Sequence, residues 1–227
     1  MYNSKNISKN IDNLDLSEQA YERIIGMISN GTLKMGQIVT EGAMKDKLGM
    51  SKTPIREAFA SLQFEGILTK TGRYYSIIYP EKEEIDEIYE FKCEIEALAA
   101  YFAAQRMTEA EKIELSRIST NIINENKNEG DPVKLANLSG MLHELIAKGS
   151  KNELISKNVN SLRLKLRIVR ISLFASMERK NAELAEHMLI VNAILDRNAE
   201  EARKAMYNHQ KDVWNYVKEK VIPRLYY

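Results

Sequence analysis

The chain has 227 residues, 44% of them hydrophobic, enough for two domains with a core in each. Thirty-three Lys and Arg stand against 32 Asp and Glu, a formal net charge of +1, so no global basic signature points to a polyanionic partner. Cys93 is the only cysteine, which excludes an intramolecular disulfide and fits a reducing cytoplasm, and the longest apolar run, 97–104, is too short to span a bilayer.

The first residues are polar and lack a signal-peptide core, so 1–15 read as a flexible lead-in. Leu16 to Asn30 has helical spacing, with Ala20, Ile24, Met27 and Ile28 on one side and Ser17 as its expected cap. Gly31 to Gln37 is a glycine-bounded loop, and Glu41 to Leu48 a short second helix closed by Gly49. A third helix opens at Ser51, which is expected to cap it, and runs to about Glu65 before Gly66. Pro54 is tolerated because it falls in the first turn, where no intrahelical N–H is needed. Lys52, Thr53 and Arg56 share one face of this helix, and Ile55, Phe59 and Leu62 the other. One face can meet phosphates and base edges while the other packs, as in a helix that reads the major groove. Ile67 to Lys70 and Tyr74 to Tyr79 read as strands around Thr71-Gly72-Arg73. Three helices and a hairpin make a winged helix-turn-helix over 16–79, with Arg73 near the wing tip. Residues 1–78 hold ten Lys and Arg against eight Asp and Glu, a net of +2. Only the local cluster Lys45, Lys47, Lys52, Arg56, Lys70 and Arg73 looks like an electrostatic footprint, and Lys45 and Lys47 alone would equally suit a solvated face.

Pro80 marks the domain boundary. Residues 80–227 are helical almost throughout, with helices expected at 81–106, 108–129, 132–149, 151–173, 178–197 and 199–221. The clearest breaks are 128–132, 148–150 and 221–223. The fold class is therefore mostly α: a winged helix-turn-helix followed by an antiparallel helical bundle, which can enclose a ligand between facing helices. The chain's three histidines, His143, His187 and His209, all lie here, each on or beside an apolar stripe. A buried imidazole needs hydrogen-bond partners or a metal. Three that converge would suit a transition-metal ion; taken singly, each also reads as a satisfied core histidine. Arg163, Arg167 and Arg170 share one side of a later helix and read as a solvated or salt-bridged face.

Residues 16–78 resemble the DNA-binding domain of the GntR family of bacterial transcription regulators. The resemblance rests on Ser51 to Ala58, on Gly31, Leu33 and Gly36, and on Leu48, Gly49, Leu62, Gly66 and Gly72. It implies DNA contacts from Lys52, Thr53, Arg56 and the wing, where Lys70 and Arg73 lie. The family often has an arginine early in the second helix, where this chain has Gly42. Residues 81–220 resemble the FCD-type effector domain of the FadR subfamily, through 90–100, 142–146, Glu186-His187 and 205–209. That resemblance implies a divalent metal held by three histidines and an aspartate. His143, His187 and His209 match the histidines, while Ser139 stands at the aspartate position. A hydroxyl is a poorer ligand than a carboxylate, so two readings stay open: Zn²⁺ or Ni²⁺ on three histidines with solvent or an effector carboxylate, or a metal-free site that binds an anion directly. Ser139 and Lys92 are the effector-binding candidates, Lys92 equally an ordinary surface lysine. The function implied is a homodimeric, ligand-responsive repressor of cytoplasmic location that binds operator DNA and senses a small organic acid. The rivals are a DNA-binding dimer without regulation and a metal-dependent hydrolase, for which no general base stands out at motif spacing.

Overall fold

A computed structural model describes residues 15–29, 32–34, 36–78, 80–127, 130–174 and 176–226. The expected lead-in up to residue 14, Gly31 and Met35 of the first loop, and Tyr79 of the second strand lie outside the described residues. The chain divides into two compact units, 80–223 and the remainder.

The first unit begins with helix α1, Leu16–Ser29. Its cap is Asp15, not Ser17. The Asp15 carboxylate accepts from the N–H groups of Ser17 and Glu18 at 2.8 Å, and Glu18 accepts in return from Asp15 N–H at 3.2 Å. This reciprocal box satisfies orphan first-turn donors. Strand β1, Ile38–Val39, leads into α2, Glu41–Leu48. Thr40 caps α2, and Gly49, at φ 66°, ends it in a left-handed conformation that suits glycine. Helix α3 spans Lys52–Phe64. Ser51 is extended as expected of a cap residue, but its side chain makes no capping bond. The sequence removes one of its two targets: the third helical residue, whose N–H such a side chain commonly reaches, is Pro54.

Strands β2, Leu68–Thr71, and β3, Tyr74–Ile77, form the wing. They are joined by β1, a strand too short for its periodicity to be read, in the antiparallel order β1-β3-β2. Ile55, Phe59 and Leu62 of α3 are fully buried with Ile24, Ile25 and Ile28 of α1, and Phe59 meets Tyr75 of β3 edge to face at 4.5 Å. That core holds α3 by one side and leaves the other to solvent.

The second unit contains α4 (Lys82–Arg106), α5 (Glu109–Lys127), α6 (Pro132–Gly149), α7 (Glu153–Lys165), α8 (Arg167–Leu173), α9 (Met177–Leu195) and α10 (Ala199–Tyr216). The long α4 packs against α10, α6, α7 and α9. Its buried Ala97, Ala99, Ala100, Ala103 and Ala104 allow neighbouring helices to approach closely. Asp131 caps α6 by accepting from Val133 and Lys134 N–H, with Pro132 in the first turn.

Two expected helices differ. The segment 151–173 is two helices, broken at Leu166, and the Arg163 carbonyl accepts instead from the Arg170 guanidinium at 2.9 Å. Residues 199–221 do not end at the expected break. A π turn, Val217–Val221, carries the chain into α11, Ile222–Tyr226. Pro223 has no N–H to donate backwards and its ring crowds the preceding turn; a wider π turn is one way to absorb both. Among the described residues, no helix is long and apolar enough to cross a membrane.

Candidate functional site

In the first unit, Lys52, Thr53 and Arg56 are all exposed, on the face of α3 opposite its buried side. The Arg56 guanidinium is held by Glu41 at the start of α2, with Nη2 at 3.1 Å and Nε at 3.3 Å. This two-point grip fixes the plane of the guanidinium, and Arg56 in turn holds the Glu41 carboxyl below its usual range. Lys70 lies over the Tyr75 ring at 5.1 Å, and Arg73 over the Tyr74 ring at the same distance, donating to the Tyr74 hydroxyl at 2.9 Å. Lys52, Lys70 and Arg73 line one groove of about 630 Å³ together with Glu41 and Gly42. The cations expected to touch DNA thus share the rim of one concavity, apart from Arg56, which stands beside it on Glu41. Gly42 lines the groove where a longer side chain would project.

In the second unit, α6, α9 and α10 bring His143, His187 and His209 together, all buried. Their ring centres are 4.8–5.2 Å apart, and their candidate ligand atoms lie within 4.8 Å of one another. His143 Nε2 and His187 Nε2 are 3.2 Å apart. Two ligands on one metal at about 2.0–2.1 Å lie about 3.0–3.4 Å apart, so this pair already has the separation of a shared ion.

The remaining ring nitrogens carry the decisive detail. His143 Nδ1–H donates to Glu96 at 2.5 Å, and His209 Nδ1–H donates to Glu186 at 2.7 Å. A carboxylate on Nδ1 fixes the tautomer and turns Nε2, with its lone pair, away from that carboxylate; metal-binding histidines are oriented in the same manner. His187 Nδ1 is buried with no hydrogen-bond partner. Burial pulls His187 well below the ordinary imidazole range and His209 down to about 3, so both rings are neutral, the form that binds metals. This donor set fits a transition-metal ion.

Further groups complete the site. Glu96 lies deeply buried, which opposes its charge, yet Lys92 and His143 hold its carboxyl far below the usual range. Lys92 is not a surface lysine: its ammonium is buried against Glu96 and Gln210, both at 2.5 Å. Ser139 is also buried, and its hydroxyl donates to Glu183 at 3.4 Å. Arg179 binds Glu183 and Glu186 together. Ser139, His143, His209, Glu183, Lys92 and Arg170 line one cavity of about 30 Å³, room for little more than an ion or a water. The arginine face expected to be solvated or salt-bridged holds only in part. Arg163 pairs with Glu144, whereas Arg170 is turned into the cavity, where desolvation and the charge of Arg163 lower it to about 10. Sequence reasoning missed Glu96, Glu183, Glu186, Arg179 and Gln210. The signal was present as charged residues one turn from a buried-stripe residue, Glu183 before His187 and Lys92 before Glu96.

Comparison with known proteins bears on both units. Residues 16–73 match the model of the gntR family of bacterial regulatory proteins, and residues 87–212 match the FCD domain. The chain belongs to the GntR family and carries an FCD domain. It is 27% identical to the HTH-type transcriptional regulator YdhC of Bacillus subtilis, over 88% of this chain and 92% of that protein. It is 25% identical to the Uxu operon regulator of Haemophilus influenzae, over 92% and 85%. McbR/YncC of Escherichia coli shares the fold, with a TM-score of 0.65 at 19% identity over 91% of this chain and 99% of that one. This GntR-family protein is a transcription regulator, not an enzyme, and its helix-turn-helix is a DNA-binding unit.

Proposed function

We propose that the protein is a ligand-responsive, sequence-specific repressor, working in the cytoplasm as a homodimer on a pseudo-palindromic operator. On this reading Lys52, Thr53 and Arg56 enter the major groove, while Lys70 and Arg73 grip phosphate from the wing. The exposed face of α3 beside a cation-rimmed groove supports the DNA half.

The observation that carries the sensing half is Arg170. It lines the cavity opposite no carboxylate of its own: among the described residues its guanidinium makes no ion pair, and only the Arg163 carbonyl takes a bond from it. A buried cation in that state favours an anion. The cluster of His143, His187 and His209, two of which line the same cavity, favours a divalent metal. A small organic acid satisfies both, one carboxylate oxygen completing the metal's shell and another group reaching Arg170. When bound, the metal would act as a Lewis acid that holds the acid; Ser139 and Lys92 shape the floor on which it rests. The cavity is about ten times smaller than the 300 Å³ or so at the low end of ligand pockets, so the acid must open it. A ligand that selects the open form shifts the population, and the junction at Pro80-Glu81 passes the change to the reading helix.

The test is to select duplexes from a random pool with the protein, then titrate the winners with small hydroxy- and dicarboxylic acids that raise its melting temperature. A stabilising acid should change duplex affinity, and Arg170→Met should abolish both effects. An acid that stabilises the protein but leaves duplex binding unchanged refutes the regulatory reading. The absence of any preferred duplex would favour a non-regulatory DNA-binding dimer.

A further inference from the structure

Resting on the reading of the histidine cluster as a metal centre, we propose that Glu183 supplies the carboxylate ligand for which Ser139 leaves room. Ser139 and Glu183 stand opposite each other on α6 and α9, and the Ser139 hydroxyl donates to Glu183 Oε1 at 3.4 Å. Each lies one helical turn before a histidine of the cluster, Ser139 before His143 and Glu183 before His187, so each projects beside its histidine. Glu183 Oε1 is 3.7 Å from His187 Nε2, at the edge of the cluster that the three imidazoles form. The two oxygens are divided in their tasks. Oε2 is engaged by Arg179 at 3.1 and 3.2 Å, which anchors the carboxylate, while among the described residues Oε1 takes a hydrogen bond only from the Ser139 hydroxyl, and Glu183 lines the cavity together with Ser139, His143 and His209.

An aspartate at 139 would be redundant here. Two carboxylates within contact distance in a buried site repel each other, and one would take up a proton. A serine is small enough to make room for Glu183 and donates the hydrogen bond that points Oε1 inward. The negative charge that offsets the metal has therefore changed helices, from α6 to α9.

The experiment uses the full chain and cobalt(II) or zinc(II) alone, read as affinity by competition with a chromophoric chelator and as the visible spectrum of the cobalt form. The parent should bind one ion per chain, and His187→Ala should abolish this. Glu183→Gln keeps the shape and the Arg179 contact; it should weaken binding by about 100-fold or more and alter the cobalt spectrum, a loss at least as large as those of outer-sphere substitutions. The exchange Ser139→Asp with Glu183→Gln keeps the total charge and returns the carboxylate to α6. It should restore affinity to within about 10-fold of the parent. Parental affinity and spectrum in Glu183→Gln, with His187→Ala inactive, overturn the role of Glu183 and leave the metal centre standing. An exchange variant as weak as Glu183→Gln alone also overturns it. A parent that binds no ion overturns both readings.

Discussion

Replacing Lys92 by Met takes away half of a buried ion pair and strands the other half. The Lys92 side chain is 11% exposed and that of Glu96 3%, so water cannot substitute for the missing ammonium. Glu96 Oε1 loses its partner at 2.5 Å, and Gln210 Oε1 loses its donor at the same distance. What remains, His143 Nδ1–H and Gln210 Nε2, converges on the other oxygen, Oε2. Breaking a buried pair in this way costs about 3–5 kcal/mol. For a unit of this size each kcal/mol lowers the melting temperature by about 2–4 °C, so the midpoint should fall by about 6–20 °C. Trp214, the chain's only tryptophan, stacks near Tyr89 of α4 and reports unfolding of this unit by fluorescence. The double variant Lys92→Met, Glu96→Leu should regain most of the loss, because an apolar pair carries no stranded charge. It should not regain metal affinity, since His143 then lacks the carboxylate that orients it; a deficit of about 10–100-fold should persist. Should Lys92→Met melt within about 2 °C of the parent, or the double variant be no better than the single, the pair is not the closed unit described here.

Arg56→Ala should leave the melting temperature unchanged, because the side chain is two-thirds exposed, and should lower affinity for a selected duplex by about 10–100-fold while non-specific binding changes little; fluorescence anisotropy on matched and scrambled duplexes separates the two. A Cβ at Gly42 meets nothing nearer than Thr40 Oγ1 at 3.9 Å, so Gly42→Arg should fold normally, add a phosphate contact and steepen the log–log salt dependence of binding by about one unit. Metal-free protein should lose stability as pH falls below about 6.5. His187 and His209 are held neutral in the fold, the latter down to about 3, so the unfolded chain takes up protons first. Each such proton contributes about 1.4 kcal/mol per pH unit, lost progressively between about pH 6.5 and 3 and fully retained above the upper limit. Urea unfolding at pH 7 and pH 5 measures the slope, and His209→Asn should make it shallower.

The architecture was legible because it rests on period and punctuation. The two faces of α3, the glycine after α2 and the long apolar stripes of the bundle are local signals, and local signals survive in one sequence. The failures are tertiary or combinatorial. Ser51 reads as a cap by type, and only counting to Pro54 removes one of the two N–H groups it could have bonded. The two-residue β1 exists because β3 offers it an edge. Leu166 breaks a helix that no breaker residue marks, because the Arg170 side chain takes over a carbonyl the helix abandons. At the histidine centre the sequence supplied the residues whose types are rare. It did not supply Glu96, Glu183, Glu186 or Arg179, since glutamate and arginine are ordinarily surface residues; burial distinguishes Glu96, Glu183 and Arg179, and only its bond to His209 distinguishes the half-buried Glu186.

The same burial decides which ligand chemistry the cavity favours. Glu96 is paired with Lys92, while Glu183 and Glu186 share the single cation Arg179, so these three carboxylates outnumber those two cations by one. The imidazoles of His187 and His209, held neutral, add no charge. A bare anion placed among them would meet Glu96 and Glu183 without any cation left to receive it on that side. A divalent cation meets two inward-turned lone pairs, with Glu96 and Glu186 behind the imidazoles of His143 and His209 and, on the proposal above, Glu183 as a further ligand. Arg170 has the opposite need, being a cation that makes no ion pair among the described residues. The cavity is therefore bipolar, and a metal at one end makes the whole attractive to a molecule that neither end would hold alone. On the proposed reading, an acid that coordinates the ion while reaching Arg170 binds the same guanidinium that holds the carbonyl at Arg163, the contact that bridges the break between α7 and α8. On that same reading, effector binding and the geometry of that break are linked through one side chain, and a ligand too short to reach Arg170 should bind the metal without disturbing the bundle.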